Sequence, residues 1–259
     1  MISVESWGIA GSVVDQGRSG LGWLGQSRGG AVDVVSLSLA NRLVGNPESS
    51  AGIETSGGSV LRLGEPTMIA IAGAVADLSV SNGPAVGWGS PVALPPGAQL
   101  RVGRLLDGAR LYIAVRGGVS RYEDGLRIGA DPATAAATQA APRAALSTRV
   151  RVWPGPRSEW FHPDEWDALL AGRFEVTSTS RVGVRLGGIP LRRRHDRQLP
   201  SEGLIEGAIQ VPPDGQPIIM LADHPTTGGY PVIAVIDHAD LQHAAQAAQG
   251  TMLSFAAAR

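Results

Sequence analysis

Residues 208–221 read Ala208-Ile209-Gln210-Val211-Pro212-Pro213-Asp214-Gly215-Gln216-Pro217-Ile218-Ile219-Met220-Leu221. Two apolar runs, 208–211 and 218–221, flank a Pro-Pro-Asp-Gly segment. Proline presets the backbone of a turn and glycine tolerates its left-handed corner, so the stretch predicts a β-hairpin. The same pattern of short β-prone runs bounded by glycine or proline recurs at 61–63, 68–71, 78–80, 100–102, 111–115, 150–153, 174–178, 232–236 and 252–255. Closely spaced short strands, with Asn82-Gly83 and Pro96-Gly97 as punctuation, indicate barrels or sandwiches rather than parallel α/β units. The expected fold class is mainly β, with two β-barrel-like domains and a few short helices.

Three helices carry start and stop signals. Asp33 is placed to cap a helix over 34–44, with Leu37, Ala40 and Val44 on one face and Gly45 as the stop. Pro163 sits as a first-turn proline leading 164–171 into Gly172. Asp237 or Asp240 opens an alanine-rich helix expected to run to Gln249 and close at Gly250. Residues 130–145 are alanine-rich too, but their prolines and poor periodicity predict a loop or linker. The chain of 259 residues exceeds roughly 150 per domain. A boundary near Trp153-Pro154-Gly155-Pro156 gives domains 1–150 and 151–259.

Absences in the composition narrow the chemistry. There is no cysteine, which removes disulfides, thiolate nucleophiles and cysteine-ligated metals. There is no lysine either, and all 22 basic residues are arginine. A lysine-free chain carries no covalent biotin, no pyridoxal phosphate Schiff base, no Walker-A loop and no Ser-Ser-Lys amidase site. The net charge of -1 argues against nucleic acid as a partner. The local run Arg192-Arg193-Arg194-His195-Asp196-Arg197 reads as a solvated loop, with a partner or anion contact as the alternative. Neither a leader nor a membrane span is evident, so a soluble cytoplasmic protein is expected.

Two motif-like features lack the context their chemistry needs. Gly20-Leu21-Gly22-Trp23-Leu24-Gly25 matches the dinucleotide fingerprint in letters. No strand–turn–helix surrounds it, and bulky Trp23 occupies the turn, so a glycine-rich loop is expected. His238 and His243 are five apart, off the i, i+4 spacing that grips a metal from one helix face, and the five histidines form no metal set. Chemistry-bearing residues are densest after the hairpin, at Asp223, His224, Thr226, Thr227, Gly228, Gly229 and Tyr230. Paired glycines let backbone amides approach a ligand closely. From the pattern alone a structural turn and a ligand loop serve equally.

The block Gln210–Pro217, followed by Ala222-Asp223 and Thr226-Thr227-Gly228-Gly229-Tyr230-Pro231, resembles the KipA family. That family is also called allophanate hydrolase subunit 2 or the C subunit of 5-oxoprolinase, and is similar to part of the urea carboxylase carboxyltransferase domain. Further matches are Asp15-Gln16-Gly17-Arg18, Ser27-Arg28-Gly29-Gly30-Ala31-Val32-Asp33, Ala40–Pro47, Ile53-Glu54, Ala114–Gly118 and Ser180–Leu186, so the resemblance spans nearly the whole chain. The chain departs from the pattern over 119–145, where the family's Ser-Arg-Ser-Thr loop is missing. It departs again at Thr179-Ser180-Arg181-Val182-Gly183, where the family has Ser-Asn-Arg-Met-Gly.

The resemblance implies cyclophilin-like barrels and a non-autonomous subunit of an ATP-dependent 5-oxoprolinase, which opens the 5-oxoproline lactam to glutamate. It implies a KipI-like partner (the 5-oxoprolinase B subunit, or allophanate hydrolase subunit 1) and a third component, the 5-oxoprolinase A subunit, with ATP as co-substrate of the assembly. Such a site needs an anion clamp, carbonyl-polarising donors and a group that positions water. The candidates are Asp223 and Glu202 for orienting water or a substrate amide. Arg18, Arg181 and Arg185 are candidates for clamping carboxylate or phosphate oxygens. Gln210, Thr226, Thr227 and Tyr230 are candidates for neutral hydrogen bonds. Against these stand plainer roles: a surface carboxylate for Arg185 and buried backbone for Gln210. Two rival functions follow from the same kinship, a biotin-dependent carboxyltransferase component and a regulatory protein antagonising a KipI-like kinase inhibitor. Peptidyl-prolyl isomerisation would rest on fold alone.

Overall fold

The computed structural model describes residues 1–123, 125–195, 197 and 199–259, so Asp196 of the basic run lies outside the described residues. It is mainly β, with two barrel-like sheets and three short α-helices, as expected. The chain divides into two compact units. One comprises Met1–Gly17 and Asp33–Ala145, the other Arg18–Val32 and Leu146–Arg259. No helix is long and apolar enough to cross a membrane among the described residues.

The first unit holds β1 (Ile2–Ser6), β2 (Ser12–Val14), α1 (Val34–Leu43), β3 (Gly52–Thr55), β4 (Val60–Leu63), β5 (Thr67–Ser81), β6 (Val92–Leu94), β7 (Gln99–Val115), β8 (Val119–Tyr122) and β9 (Gly125–Ile128). The strand order is β2-β3-β7-β4-β1-β9-β8, and β5 pairs with both β6 and β7. Runs 68–71 and 78–80 are two ends of the one long strand β5, and runs 100–102 and 111–115 are two ends of β7. The glycines that look like breaks, Gly73 and Gly108, have φ of 85° and 98°. The β5–β7 register shifts beside both, so they mark irregularities inside continuous strands rather than turns. Ile2, Ile53, Leu61, Ile71, Leu100 and Ile113 fill the core between the strands. Helix α1 is capped by Asp33, whose side chain accepts from the Ser36 N–H at 3.0 Å, and Ala40, Leu43 and Val44 pack against Ala70, Ala72 and Ala114.

The second unit holds β10 (Arg149–Pro154), α2 (Glu165–Ala171), β11 (Arg173–Thr179), β12 (Gly183–Gly187), β13 (Glu202–Gly203), β14 (Ala208–Gln210), β15 (Ile218–Met220), β16 (Thr227–Gly228), β17 (Val232–Ile236), α3 (Leu241–Ala245) and β18 (Met252–Ala257). Seven of these strands close a barrel in the order β10-β17-β14-β15-β12-β11-β18, with the parallel β10–β18 pair completing it. The predicted hairpin is β14–β15, with Ile209 opposite Ile219 and the Gly215 N–H donating to Pro212 O across the turn. Val150, Phe174, Val184, Ile209, Ile219 and Phe255 line the interior.

Two helix expectations need correction. Helix α2 begins at Glu165 with Asp164 as its N-cap residue, so Pro163 precedes the cap instead of lying in the first turn. Helix α3 stops at Ala245, not Gln249, after a 3-10 turn over His238–Asp240. The chain beyond it is drawn into the barrel wall: Gly250 N–H donates to Val176 O at 2.8 Å and Val176 N–H to Thr251 O at 2.9 Å. Tertiary pairing there outweighs the helix preference of alanine and glutamine.

Candidate functional site

The candidate site grows from the end of the hairpin in the second unit. Strand β15 runs into Leu221, whose N–H donates to Val182 O, and the Asp223 N–H donates to Arg181 O at 3.0 Å. Those bonds bring the turn before β12 against the loop after β15. Arg181 then grips Asp223 with both arms of its fork, Nε to Oδ2 at 2.7 Å and Nη2 to Oδ1 at 3.0 Å. Nη2 also donates to Gly30 O at 2.7 Å. The N-terminal segment thus reaches the site through its glycines, which take φ of 62° at Gly29 and 70° at Gly30. The Gly29 N–H donates to Ala222 O at 3.0 Å, and a Cβ on Gly29 would lie 3.9 Å from Asp223 Oδ1.

Two further ion pairs lie in the same unit. Arg28 is bidentate on Glu206, with Nε to Oε2 at 2.9 Å and Nη2 to Oε1 at 3.0 Å, and also donates to Ala31 O. Arg157 donates twice to Glu202 Oε2, at 2.9 and 2.5 Å. The hydrogen bonds and charge of Glu202 hold the Arg157 guanidinium above its ordinary pKa. Glu202 sits on β13, paired with β16 so that Glu202 faces Gly228 and Gly203 faces Thr227. Buried Gln210 donates from Nε2 to Tyr230 O at 2.9 Å, which is the backbone role weighed for it. A Cβ on Gly228 would stand 2.7 Å from Gln210 Nε2 and 2.7 Å from Leu204 Cδ1, so a side chain there would displace the ends of both residues. His224 is buried too, its Nδ1–H donating to Pro225 O at 2.7 Å.

The sequence candidates therefore fall into two clusters and two outliers. Arg181 and Asp223 meet directly, and Glu202, Thr226, Thr227, Gln210 and Tyr230 are tied together by the β13–β16 ladder, the Leu204 N–H to Thr226 O bond and the Gln210 amide. Arg18 joins only through its backbone N–H, which donates to Arg28 O. Its side chain is exposed, with no hydrogen-bond partner among the described residues. Arg185 lies apart, exposed on β12 between inward-facing Val184 and Leu186. Sequence reasoning passed over Arg28, Arg157 and Glu206, whose signal was only an arginine–carboxylate complement with no spacing to join them. Chemically, a carboxylate offers about four lone-pair directions, and a bidentate arginine uses two of them. Asp223 is thus fixed in plane by Arg181 while keeping acceptor capacity for a water or an N–H.

Other family-like blocks prove to be architectural. In the first unit Asn46 donates to Asn41 Oδ1 and Val115 O and accepts from the Gly117 N–H. Arg116 donates to Val44 O, Pro132 O and Thr134 O. Blocks 40–47 and 114–118 thus clamp the end of α1 to β7. Of the basic run, Arg192 pairs with Glu165 and Asp164, and Arg193 and Arg197 lie over the Trp160 ring. The fingerprint-like stretch is a 3-10 turn over Gly22–Leu24 with no buried residue. Among the described residues no group of three or more His, Asp or Glu is placed to hold a metal.

Kinship bears on this geometry. A profile of the carboxyltransferase domain, subdomains A and B, matches residues 24–124 and 120–257. The chain belongs to this carboxyltransferase-domain family. Within it, the chain is 33% identical to the C subunit of 5-oxoprolinase from Escherichia coli K12, over 98% of this chain and 90% of that one. It is 27% identical to urea amidolyase of Lachancea kluyveri over 92% of its own length, but spans only 16% of that protein. Among solved structures, TTHA0988 superposes with a TM-score of 0.82 at 33% identity, and the match covers 98% of this chain and 55% of that one. Kluyveromyces lactis urea amidolyase shares the fold, with a TM-score of 0.86 at 24% identity over 19% of its chain.

Proposed function

We propose that the chain is the C subunit of an ATP-dependent 5-oxoprolinase, inactive alone and completed by the KipI-like B subunit and by the A subunit. The observation that carries this reading is the end-to-end similarity to the 5-oxoprolinase C subunit of Escherichia coli, which covers 98% of this chain and 90% of that relative. The chemistry is compatible with the residues. A lactam carbonyl is a poor electrophile, and phosphoryl transfer from ATP to its oxygen makes attack by water feasible. Asp223, pinned by Arg181, is suited to accept a hydrogen bond from that water or from the lactam N–H. Glu202, held by Arg157, is the second acceptor.

The test is glutamate release from 5-oxoproline and ATP by the co-expressed subunits, with each omitted in turn. Activity should vanish without this chain and fall roughly 100-fold or more in Asp223→Asn within an intact complex. Turnover by this chain alone, or full activity of Asp223→Asn, contradicts the reading. A second reading, a carboxyltransferase component served by biotin on another chain, is favoured by the family match and the urea amidolyase similarity. It predicts binding to a biotinyl carrier protein.

A further inference from the structure

The second unit carries a pocket of about 190 Å³ that shares no lining residue with the candidate site. Its walls are apolar: Pro154 at the end of β10, Ile233 of β17, Phe161, Pro163, and Trp166 of α2. Backbone bonds fix those walls. Pro154 pairs with Ala234 in the barrel ladder, and the Gly155 N–H donates to Ile233 O at 2.8 Å. Phe161 forms an antiparallel bridge with Arg193. Beside that bridge the Arg194 N–H donates to Trp160 O at 2.8 Å and the His162 N–H to Arg192 O at 3.4 Å. The start of α2 is tied in by the Glu165 N–H, which donates to His162 O at 3.0 Å. Phe161 and Ile233 belong to the barrel core, and Trp166 packs against it. The pocket is therefore preformed, and an occupant loses little affinity to ordering it.

The lining also specifies a charge. Arg194 is part of it, and no carboxylate is. The other arginines of the basic run are engaged within the protein: Arg192 pairs with Glu165 and Asp164, and Arg193 and Arg197 lie over the Trp160 ring. The remaining acid of this segment, Glu159, lies 3.6 Å from Arg157. Exposed Arg194 is anchored by its backbone at Trp160 O, while its guanidinium has no hydrogen bond or ion pair among the described residues. Ser158 and His162 add polar partners to the lining. Size sets the rest. An apolar cavity of about 150 Å³ accepts a benzene ring, so this pocket holds one ring with a short arm and is too small for a nucleotide. We infer that it binds a small aromatic monocarboxylate, with the ring against Phe161, Trp166 and Ile233 and the carboxylate on the fork of Arg194.

The experiment titrates phenylacetate and its neutral isostere phenylacetamide into the full chain and into Arg194→Gln, with thermal unfolding as the control for folding. Phenylacetate should bind the parent at one site with a Kd on the order of 1 mM or lower. Phenylacetamide should bind about tenfold more weakly, and that comparison tests the charge assignment without any variant. Arg194→Gln should unfold like the parent, because the side chain is exposed, and should bind the acid no better than the amide. Nuclear Overhauser contacts between the ligand ring and the Trp166 indole should place the compound in this pocket and not at Arg181. Equal affinity of the parent for acid and amide overturns the inference, as does unchanged affinity for phenylacetate in Arg194→Gln. Saturable binding without contacts to Trp166, or no saturable binding up to about 10 mM, overturns it as well. None of these measurements involves 5-oxoproline or ATP, so failure here leaves the functional reading above intact.

Discussion

At the scale of single residues, a chain whose basic side chains are arginine without lysine recruits its acids through planar forks. Arg181 on Asp223, Arg28 on Glu206 and Arg151 on Asp240 are all bidentate. A lysine could supply the charge but not the two parallel bonds of a planar fork, which in Arg181 also reaches Gly30 O. The most enclosed of the three acids, Asp240, also accepts from the Arg151 backbone N–H at 2.7 Å. These bonds, the side-chain ones foremost, hold the Asp240 carboxyl below its ordinary pKa, against the opposing effect of burial. A carboxylate whose native pKa is depressed stabilises the fold above its unfolded value, near 4, and loses that contribution as pH falls through the native value. Asp240→Asn should therefore lower the unfolding midpoint at neutral pH by about 2–8 °C. It should also flatten the acid limb below about pH 4, where parent and variant converge. Unfolding curves followed from pH 7 to pH 2 check this, and superimposed curves at neutral pH would refute it.

At the scale of elements, helix α1 is attached to its sheet by a polar bolt rather than by packing alone. The Tyr112 hydroxyl, fully buried on β7, donates to Glu54 Oε2 at 2.7 Å and accepts the Asp33 N–H at 2.8 Å. Burial first, then the charges of Glu54 and Asp33, push the Tyr112 pKa well up, so the hydroxyl keeps its proton and remains a donor. Tyr112→Phe keeps the ring and removes the acceptor of the Asp33 N–H, at a cost of about 1–3 kcal/mol. Faster amide exchange in the first turn of α1 is the expected signature, and unchanged exchange and stability would show the bolt to be idle. None of this was visible in the sequence, where Glu54 was one letter of a motif and Tyr112 one residue of a β-prone run. What was legible follows from local rules: the Asp33 cap, the Pro-Pro-Asp-Gly hairpin and the β-prone run that becomes β11. The illegible parts depend on partners far along the chain. The glycine irregularities inside β5 and β7 need the opposite strand to be recognised, and α3 is cut short by a pairing with Val176 some 74 residues upstream. The site divides in the same way. Its carboxylate and arginine candidates could be named from resemblance, but the union of Arg181 with Asp223, 42 residues apart, and the entry of Gly30 into it are tertiary facts.

At the scale of the whole molecule, the covalent path and the compact units disagree, and that disagreement is testable. The chain leaves the first unit after Gly17, spends Arg18–Val32 in the second, and returns at Asp33, long before the second unit's main body begins at Leu146. The excursion is well fastened inside the second unit. Val32 is in the barrel core cluster, Arg28 is bidentate on Glu206, Gly29 bonds Ala222, and Gly30 accepts from Arg181. Several charge-assisted bonds together with a buried valine constitute a non-covalent join between residues otherwise connected only through the 130–145 segment. Cleavage at a protease site engineered across the exposed pair Ala144-Ala145 should therefore leave fragments 1–144 and 145–259 travelling as one species in size-exclusion chromatography. The join should fail in moderate denaturant, and fail earlier in Arg28→Ala, which leaves Glu206 without its fork. Fragments that separate under native conditions would mean that the excursion contributes geometry to the site but too little free energy to hold the two parts of the chain together.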